Sequence, residues 1–309
     1  MNLRPSTQTH LFAHNQLMNE FINLYNTNRL PNKIILSGEK GIGKSTLAYH
    51  LINYILSKNE DFSYDLKNYK IFSENKSYKL IQNNVNPNFN IIDVLKDKKI
   101  IDINQIRNLI LNLNKSSFNL KPRFVLIDNI ELLNANAINA LLKILEEPND
   151  NINFILINNN KRILPTLRSR CLNFKVFLSY DQKITIINDL LNDDIYNLIN
   201  KELLNYYSTP GQLYQLIQLS YDLNINLKNI NLKNFLLKTI YDKIYKKEKK
   251  FNEYIFSLIH LYLRNNISPS NIDLIDSYNY FLKQINNTKR YNLDEESLFI
   301  EFEDRVLNG

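Results

Sequence analysis

A single cysteine, Cys171, serves the whole 309-residue chain, so neither an internal disulfide framework nor a four-cysteine zinc site can be built from it. Long apolar runs are missing as well. No stretch approaches the roughly 20 residues of a membrane span, and the first residues lack the basic, apolar, small-residue order of a signal peptide. These absences set the expectation of a reducing cytoplasm and no membrane partner. Glycine is scarce too: there are five, and three of them, Gly38, Gly41 and Gly43, fall within six positions. What is abundant is asparagine, isoleucine and lysine. The formal charge of +7 suits an acidic partner such as nucleic acid, but the lysine-rich composition accounts for it equally well, so charge alone assigns nothing. The length allows two or three domains of about 100 to 150 residues.

The glycine cluster lies in Ser37-Gly38-Glu39-Lys40-Gly41-Ile42-Gly43-Lys44-Ser45-Thr46, where Gly38, Gly43, Lys44 and Ser45 match the phosphate-loop pattern G-x-x-x-x-G-K-[ST]. Its flanks agree with that pattern. Residues 33–36 read as a short buried strand, and residues 46–56 as a helix. Glycine lets the backbone turn sharply and bring its N–H groups close to phosphate oxygens, and the open N-terminal end of the following helix faces the same anion. The expected nucleotide-binding set is Gly38, Gly41, Ile42, Gly43, Lys44, Ser45 and Thr46, with Lys44 reaching the β and γ phosphates and the Ser45 hydroxyl ligating Mg²⁺. The expected ligand is ATP or ADP with Mg²⁺.

Ahead of the loop, residues 16–25 form an amphipathic helical pattern. After the loop helix, residues 57–90 are polar, weakly periodic and free of glycine, which predicts a surface excursion rather than core. A short strand follows at 90–94 and a helix at 103–113. Arg123-Phe124-Val125-Leu126-Ile127-Asp128 is an apolar strand ending in a carboxylate, the form of a Walker B element. Asp128 is placed to hold Mg²⁺ through water opposite Ser45. The next residue is Asn129, an amide that orients water but cannot take its proton. Glu131 is nearby at a different offset. A helix over 134–147, closed by Pro148, leads to a strand at 153–157 that ends in Asn158-Asn159-Asn160. There Asn159 is the expected γ-phosphate sensor, set against the alternative of an asparagine-rich turn.

With Ala140-Leu141-Leu142-Lys143-Ile144-Leu145-Glu146-Glu147-Pro148 and Leu164-Pro165-Thr166-Leu167-Arg168-Ser169-Arg170-Cys171 in view, the chain resembles the bacterial clamp-loader family of the AAA+ class, and within it the delta-prime subunits of the DNA polymerase III holoenzyme. Leu11-Phe12-Ala13-His14, Asn86-Pro87-Asn88-Phe89 and Ile103-Asn104-Gln105-Ile106-Arg107 extend the resemblance over residues 4–175. It implies an α/β fold: an AAA+ phosphate-loop domain with a parallel sheet (1–178), a small helical lid (179–219) and an all-α collar for oligomerisation (220–309). It implies that Arg170 acts in trans as a finger on a neighbouring subunit's nucleotide. The implied partners are gamma or tau motor subunits, a clamp-opening delta subunit, the sliding clamp, and primed DNA within the assembly.

Three departures shape the expected activity. The stretch where many relatives carry a four-cysteine zinc module has no cysteine here, so no zinc is expected. Asn129 stands where motor relatives place an acid. In Ser208-Thr209-Pro210-Gly211-Gln212, neither Gly211 nor Gln212 supplies the basic sensor of active relatives. The implied protein is a stator that holds nucleotide and hydrolyses it weakly, if at all. The alternatives are a gamma-type motor ATPase and a small-molecule phosphoryl-transfer enzyme. Beyond the lid, helical spacing over 232–245, 251–264, 272–285 and 293–307 predicts the collar, residues 246–250 read as a solvated junction, and the tyrosines read as core and interface.

Overall fold

The computed structural model describes residues 4–308 apart from 96–97, 116–118, 147–150, 160, 205–207, 248–250, 268–271 and 292. Glu147, Pro148, Asn160, Asn292 and the 248–250 part of the lysine-rich junction therefore lie outside the described residues. The chain forms two compact units, Met1–Gln182 and Lys183–Gly309.

The first unit contains α1 (Asn15–Asn26), β1 (Lys33–Ser37), α2 (Lys44–Leu56), α3 (Lys76–Gln82), β2 (Phe89–Ile92), α4 (Ile103–Leu113), β3 (Arg123–Ile127), α5 (Ala135–Glu146), β4 (Ile152–Asn158), α6 (Pro165–Arg168) and β5 (Leu172–Lys175). Its strands make one parallel sheet in the order β2-β3-β4-β1-β5. Phe124, Val125, Leu126 and Ile127 of β3 are all fully buried. Apolar residues on both faces of one strand are what a parallel sheet covered on both sides requires. On one face, Ile106 and Leu109 of α4 and Leu141 and Leu145 of α5 pack against Ile35, Val125, Phe154 and Leu156. Each such fully buried aliphatic side chain is worth about 1.5–3 kcal/mol. On the opposite face Phe21 of α1 meets Phe174 of β5 edge-on, with ring centroids 4.8 Å apart. The order sets β1 between β4 and β5, so the loop leaves the carboxyl edge of the sheet where open α/β sheets bind ligands.

Two features of this unit depart from the sequence reading. The first is β5: Leu-Asn-Phe-Lys is a four-residue edge strand, held by parallel pairing of Ile34 with Leu172 through Ser37 with Lys175. The second is the stretch 57–90, which contributes to the core. Tyr64, Ile71, Tyr78 and Ile81 are buried around a fully buried Asn75. Asn75 caps α3 by accepting from Tyr78 N at 2.7 Å, accepts from Asn53 Nδ2 at 3.0 Å, and donates to the Phe62 carbonyl at 2.6 Å. The polar composition misleads because these polar groups are mutually satisfied, which allows them to be buried at little cost.

The second unit is helical, starting within α7 (Tyr180–Leu191) and continuing through α8 (Ile195–Leu198), α9 (Pro210–Asp222), α10 (Leu232–Tyr241), α11 (Ile244–Lys247), α12 (Asn252–Asn266), α13 (Ile272–Tyr291) and α14 (Glu295–Phe302), closed by a π turn over Glu303–Leu307. Thr209 caps α9 with Pro210 in the first turn, and Thr209 with Gln212 forms a reciprocal capping box. The single helix expected over 232–245 is broken, because Lys243 takes the left-handed conformation, φ 50°, between α10 and α11. Phe256, Phe281, Phe299 and Phe302 build an aromatic core, with Phe256 stacked on Phe299 at 5.4 Å and Phe281 edge-on to Phe302 at 5.2 Å. Among the described residues, no helix is long and apolar enough to cross a membrane.

Candidate functional site

The loop between β1 and α2 has the backbone its glycines permit. Gly41 and Gly43 sit at φ 87° and 90°, in the left-handed region. Gly38 answers to a different constraint: a Cβ there would lie 2.2 Å from the Val176 carbonyl oxygen. Ile42 is buried and anchors the loop, and its carbonyl lies 2.6 Å from His14 Nε2. Burial holds the His14 imidazole below its ordinary pKa, so the neutral ring donates Nε2–H to that carbonyl. His14 thus props the loop from below, a role that the run Leu11-Phe12-Ala13-His14 does not disclose in sequence.

The first helical bond of α2 runs from Leu47 N to Gly43 O at 2.9 Å. The amides of Lys44, Ser45 and Thr46 therefore form the open N-terminal end, as an anion site requires. Lys44 is buried and its ammonium donates to the carbonyls of Gly38 at 2.9 Å and Glu39 at 2.5 Å. Burial pulls its pKa down to about 8, against the opposing pull of Asp128, Glu131 and Glu39. Ser45 Oγ donates to Asp128 Oδ2 at 2.5 Å, joining residues 83 positions apart. Burial pushes the Asp128 carboxyl up, the Ser45 bond opposes this, and the neighbouring Asp93 carboxylate adds to it. A hydroxyl and a carboxylate oxygen meeting beside a phosphate-type loop are the hard donors that Mg²⁺ takes together with phosphate and water, so these residues fit a Mg-nucleotide.

Beyond Asp128 the backbone turns through Asn129 in the left-handed region, φ 56°. Its Nδ2 donates to Asp93 Oδ1 at 2.8 Å, and its Oδ1 accepts from Asn159 Nδ2 at 2.8 Å. Asn159 Nδ2 also donates to Glu131 Oε1 at 2.9 Å, and the Asn159 backbone N–H to Glu131 Oε2 at 3.3 Å. Asn159 is therefore clamped between Asn129 and Glu131 at the end of β4, while Asn158 turns away to donate to the Lys161 carbonyl at 2.7 Å. Asp93 is the member of this network that the sequence reading passed over. A signal for it exists: 90–93 is also an apolar strand ending in a carboxylate, and the pairing of Ile92 with Ile127 puts its end beside Asp128.

The loop residues, Asp128 and Asn159 thus converge on one edge of the sheet. Arg170 is engaged elsewhere. Its guanidinium donates to the Thr166 carbonyl at 2.9 Å and to Ser169 Oγ at 3.3 Å, and it pairs with Glu146 of α5. The Arg170 side chain is 31% exposed and that of Glu146 55%. Arg170 Nε is buried and finds no hydrogen-bond partner among the described residues.

Comparison with known proteins adds to this geometry. The family described as "DNA polymerase III, delta subunit" matches residues 13–177, just over half of the chain. A DNA polymerase III subunit delta' from Buchnera aphidicola subsp. Baizongia pistaciae is 34% identical over 152 residues, covering 47% of this chain and 44% of that relative. A DNA polymerase III subunit gamma from Buchnera aphidicola subsp. Acyrthosiphon pisum is 25% identical over 317 residues, covering 96% of this chain and 82% of that relative. A solved gamma subunit-related protein from Thermotoga maritima aligns at 19% identity with a TM-score of 0.49, over 91% of this chain and 96% of that one. The chain spans about half the length of several curated relatives that it matches. With its phosphate loop, its five-stranded parallel sheet and this match, the chain belongs to the DNA polymerase III delta-subunit family, within the clamp-loader AAA+ proteins.

Proposed function

We propose that this chain is the delta-prime, stator-type subunit of a clamp loader, a cytoplasmic protein that binds ATP or ADP with Mg²⁺ at its loop and hydrolyses it little. The observation that carries this reading is the state of position 129. A motor needs a carboxylate there to activate water. Here the side chain is an amide, with its Nδ2 donating to Asp93 and its Oδ1 accepting from Asn159. Glu131, the nearby acid, already accepts twice from Asn159. When bound, Mg²⁺ would neutralise charge on the β and γ phosphates. Ser45 and Asp128 would hold it, Lys44 would exchange its carbonyl partners for phosphate oxygens, and Asn159 would sense the γ phosphate.

In the same reading Arg170 serves the neighbouring subunit's nucleotide. A guanidinium fixed on transferring phosphoryl oxygens is worth about 10³- to 10⁵-fold in rate in other phosphoryl-transfer systems. An ion pair as exposed as Arg170 with Glu146 contributes about 0–1 kcal/mol, so that pair by itself binds the guanidinium only weakly to its own chain. Partners follow from the assembly: gamma or tau motors, a clamp-opening delta subunit, the sliding clamp and primed DNA. The division into an AAA+ domain, a lid ending near residue 219 and a collar belongs to this proposal as well.

A gamma-type motor is the second reading, favoured by the gamma relative that aligns with 96% of this chain. ATP turnover by the purified chain, alone and reconstituted with candidate motor and clamp-opening subunits, separates the two. The stator reading expects background turnover alone and clamp loading by the assembly. Robust turnover by the isolated chain overturns it in favour of the motor.

A further inference from the structure

A second feature of the sheet edge lies outside the loop. Parallel register aligns Ser37 of β1 with Asn158 of β4 and with Lys175 of β5, and aligns Ile35 with Leu156 and Asn173. Aligned residues share a face, and Ile35 and Leu156 belong to the core on the α4–α5 side. Ser37, Asn158, Asn173 and Lys175 therefore face that same side, at the carboxyl end, where a cavity of about 420 Å³ opens. Lys161, Arg162, Ile163, Pro165 and Arg168 complete its lining.

Four of the nine lining residues are cationic and none is acidic. Among the described residues, none of Lys161, Arg162, Arg168 and Lys175 forms an ion pair, and the carboxylate of Glu146 is committed to Arg170. Four unpaired cations around one cavity repel one another, and a bound anion offsets that repulsion. An independent observation points the same way. The side-chain oxygen of Asn173, in the cavity floor, is buried without a hydrogen-bond partner. Such an orphaned polar atom marks a missing partner, and turning the amide over presents its NH₂ to an anion with no change in shape. The lining contains no aromatic ring on which a base could stack. The recognised chemistry is therefore phosphate rather than base.

We propose that this cavity is a second phosphate-binding site, separate from the glycine loop, in which Lys161, Arg162, Arg168 and Lys175 hold a multiply charged phosphate ligand over Asn158 and Asn173. The phosphates come either from a free polyphosphate chain, such as that of a nucleotide, or from the backbone of a single-stranded nucleic acid. The inference does not depend on nucleotide binding at the loop.

The test uses the full chain carrying Lys44→Ala, which disables the loop, with two probes: tripolyphosphate followed by calorimetry, and a fluorescein-labelled oligo-dT followed by anisotropy. Adding Arg162→Gln and Lys175→Gln, both exposed, is expected to weaken at least one probe tenfold or more, while Arg162→Lys with Lys175→Arg retains binding within about threefold. Loss of tripolyphosphate binding alone identifies a free polyphosphate ligand. Loss of oligonucleotide binding, with a log–log salt slope shallower by about 1.4, at about 0.7 for each of two lost cations, identifies a nucleic-acid backbone. Unchanged affinity for both probes in the glutamine variant, or no binding of either probe once Lys44 is replaced, overturns the proposal.

Discussion

Lys44 carries a charge that its surroundings make costly to keep. Its ammonium is buried against two loop carbonyls and its pKa is pulled down to about 8 by that burial. Phosphate oxygens need the protonated form. Nucleotide affinity should therefore be flat below about pH 8 and fall toward about tenfold per pH unit above it, as the free protein loses this proton. Calorimetric titration of Mg-ATP across that range reads the effect directly, and an affinity indifferent to alkaline pH contradicts it. Gly38 makes a second prediction at this scale. Because a Cβ would meet backbone, the Val176 carbonyl at 2.2 Å, and not the movable end of a side chain, Gly38→Ala should cost about 1–3 kcal/mol in urea denaturation of the first unit. At residue scale the loop, Asp128 and Asn159 are legible in sequence because each follows directly from a strand end. His14 is not, since it acts through a contact that only the folded chain supplies, while Asp93 also follows a strand end but its place beside Asp128 comes only from the strand register.

At the scale of elements, local chemistry and tertiary packing divide the work. The start of α9 is written locally, in a threonine cap, a proline and a glutamine that closes the box. Thr209→Ala should lower the stability of the second unit by about 1 kcal/mol, with Thr209→Ser retaining most of it, as read by thermal denaturation. The packing of α2 against the 57–90 stretch is not written locally. There, fully buried His50 lies 2.8 Å from Tyr64 OH and 3.2 Å from the Gln8 carbonyl, and burial pulls its pKa down to about 4. In the unfolded chain this ring takes up a proton near pH 6.5, while in the folded one it stays neutral to about 4. Stability is therefore full above about 6.5 and declines as pH falls toward 4, by about 3 kcal/mol from this residue. Urea midpoints for wild type and His50→Gln over that window should converge as pH falls, and parallel curves contradict the assignment. Polar composition hid this packing, just as four residues without a continuous apolar run hid β5.

For the molecule as a whole, the question is whether Arg170 works for its own chain or for another. Its contacts with Glu146 and the Thr166 carbonyl hold it near the surface rather than in the core. On the proposed stator reading, Arg170→Ala should leave this chain's own nucleotide affinity unchanged and slow the reconstituted assembly several-fold, whereas Glu146→Gln should leave both nearly unaltered. Equal turnover by wild-type and Arg170→Ala assemblies removes the finger from the mechanism.

The sequence by itself determined the phosphate loop, the strands β1 to β4 with the helices α1, α2, α4 and α5 around it, and the loop, Asp128 and Asn159 side chains at its edge, because a glycine turn, an apolar strand and a helix cap are each encoded within a few neighbouring residues. Only the tertiary structure decided which polar groups those residues meet. Asn129 joined to Asp93 and Asn159, Asn75 satisfied in the core, and cations from β5 and the β4–α6 segment gathered over one face of the sheet all depend on strand register and on burial, which act between residues far apart in the chain.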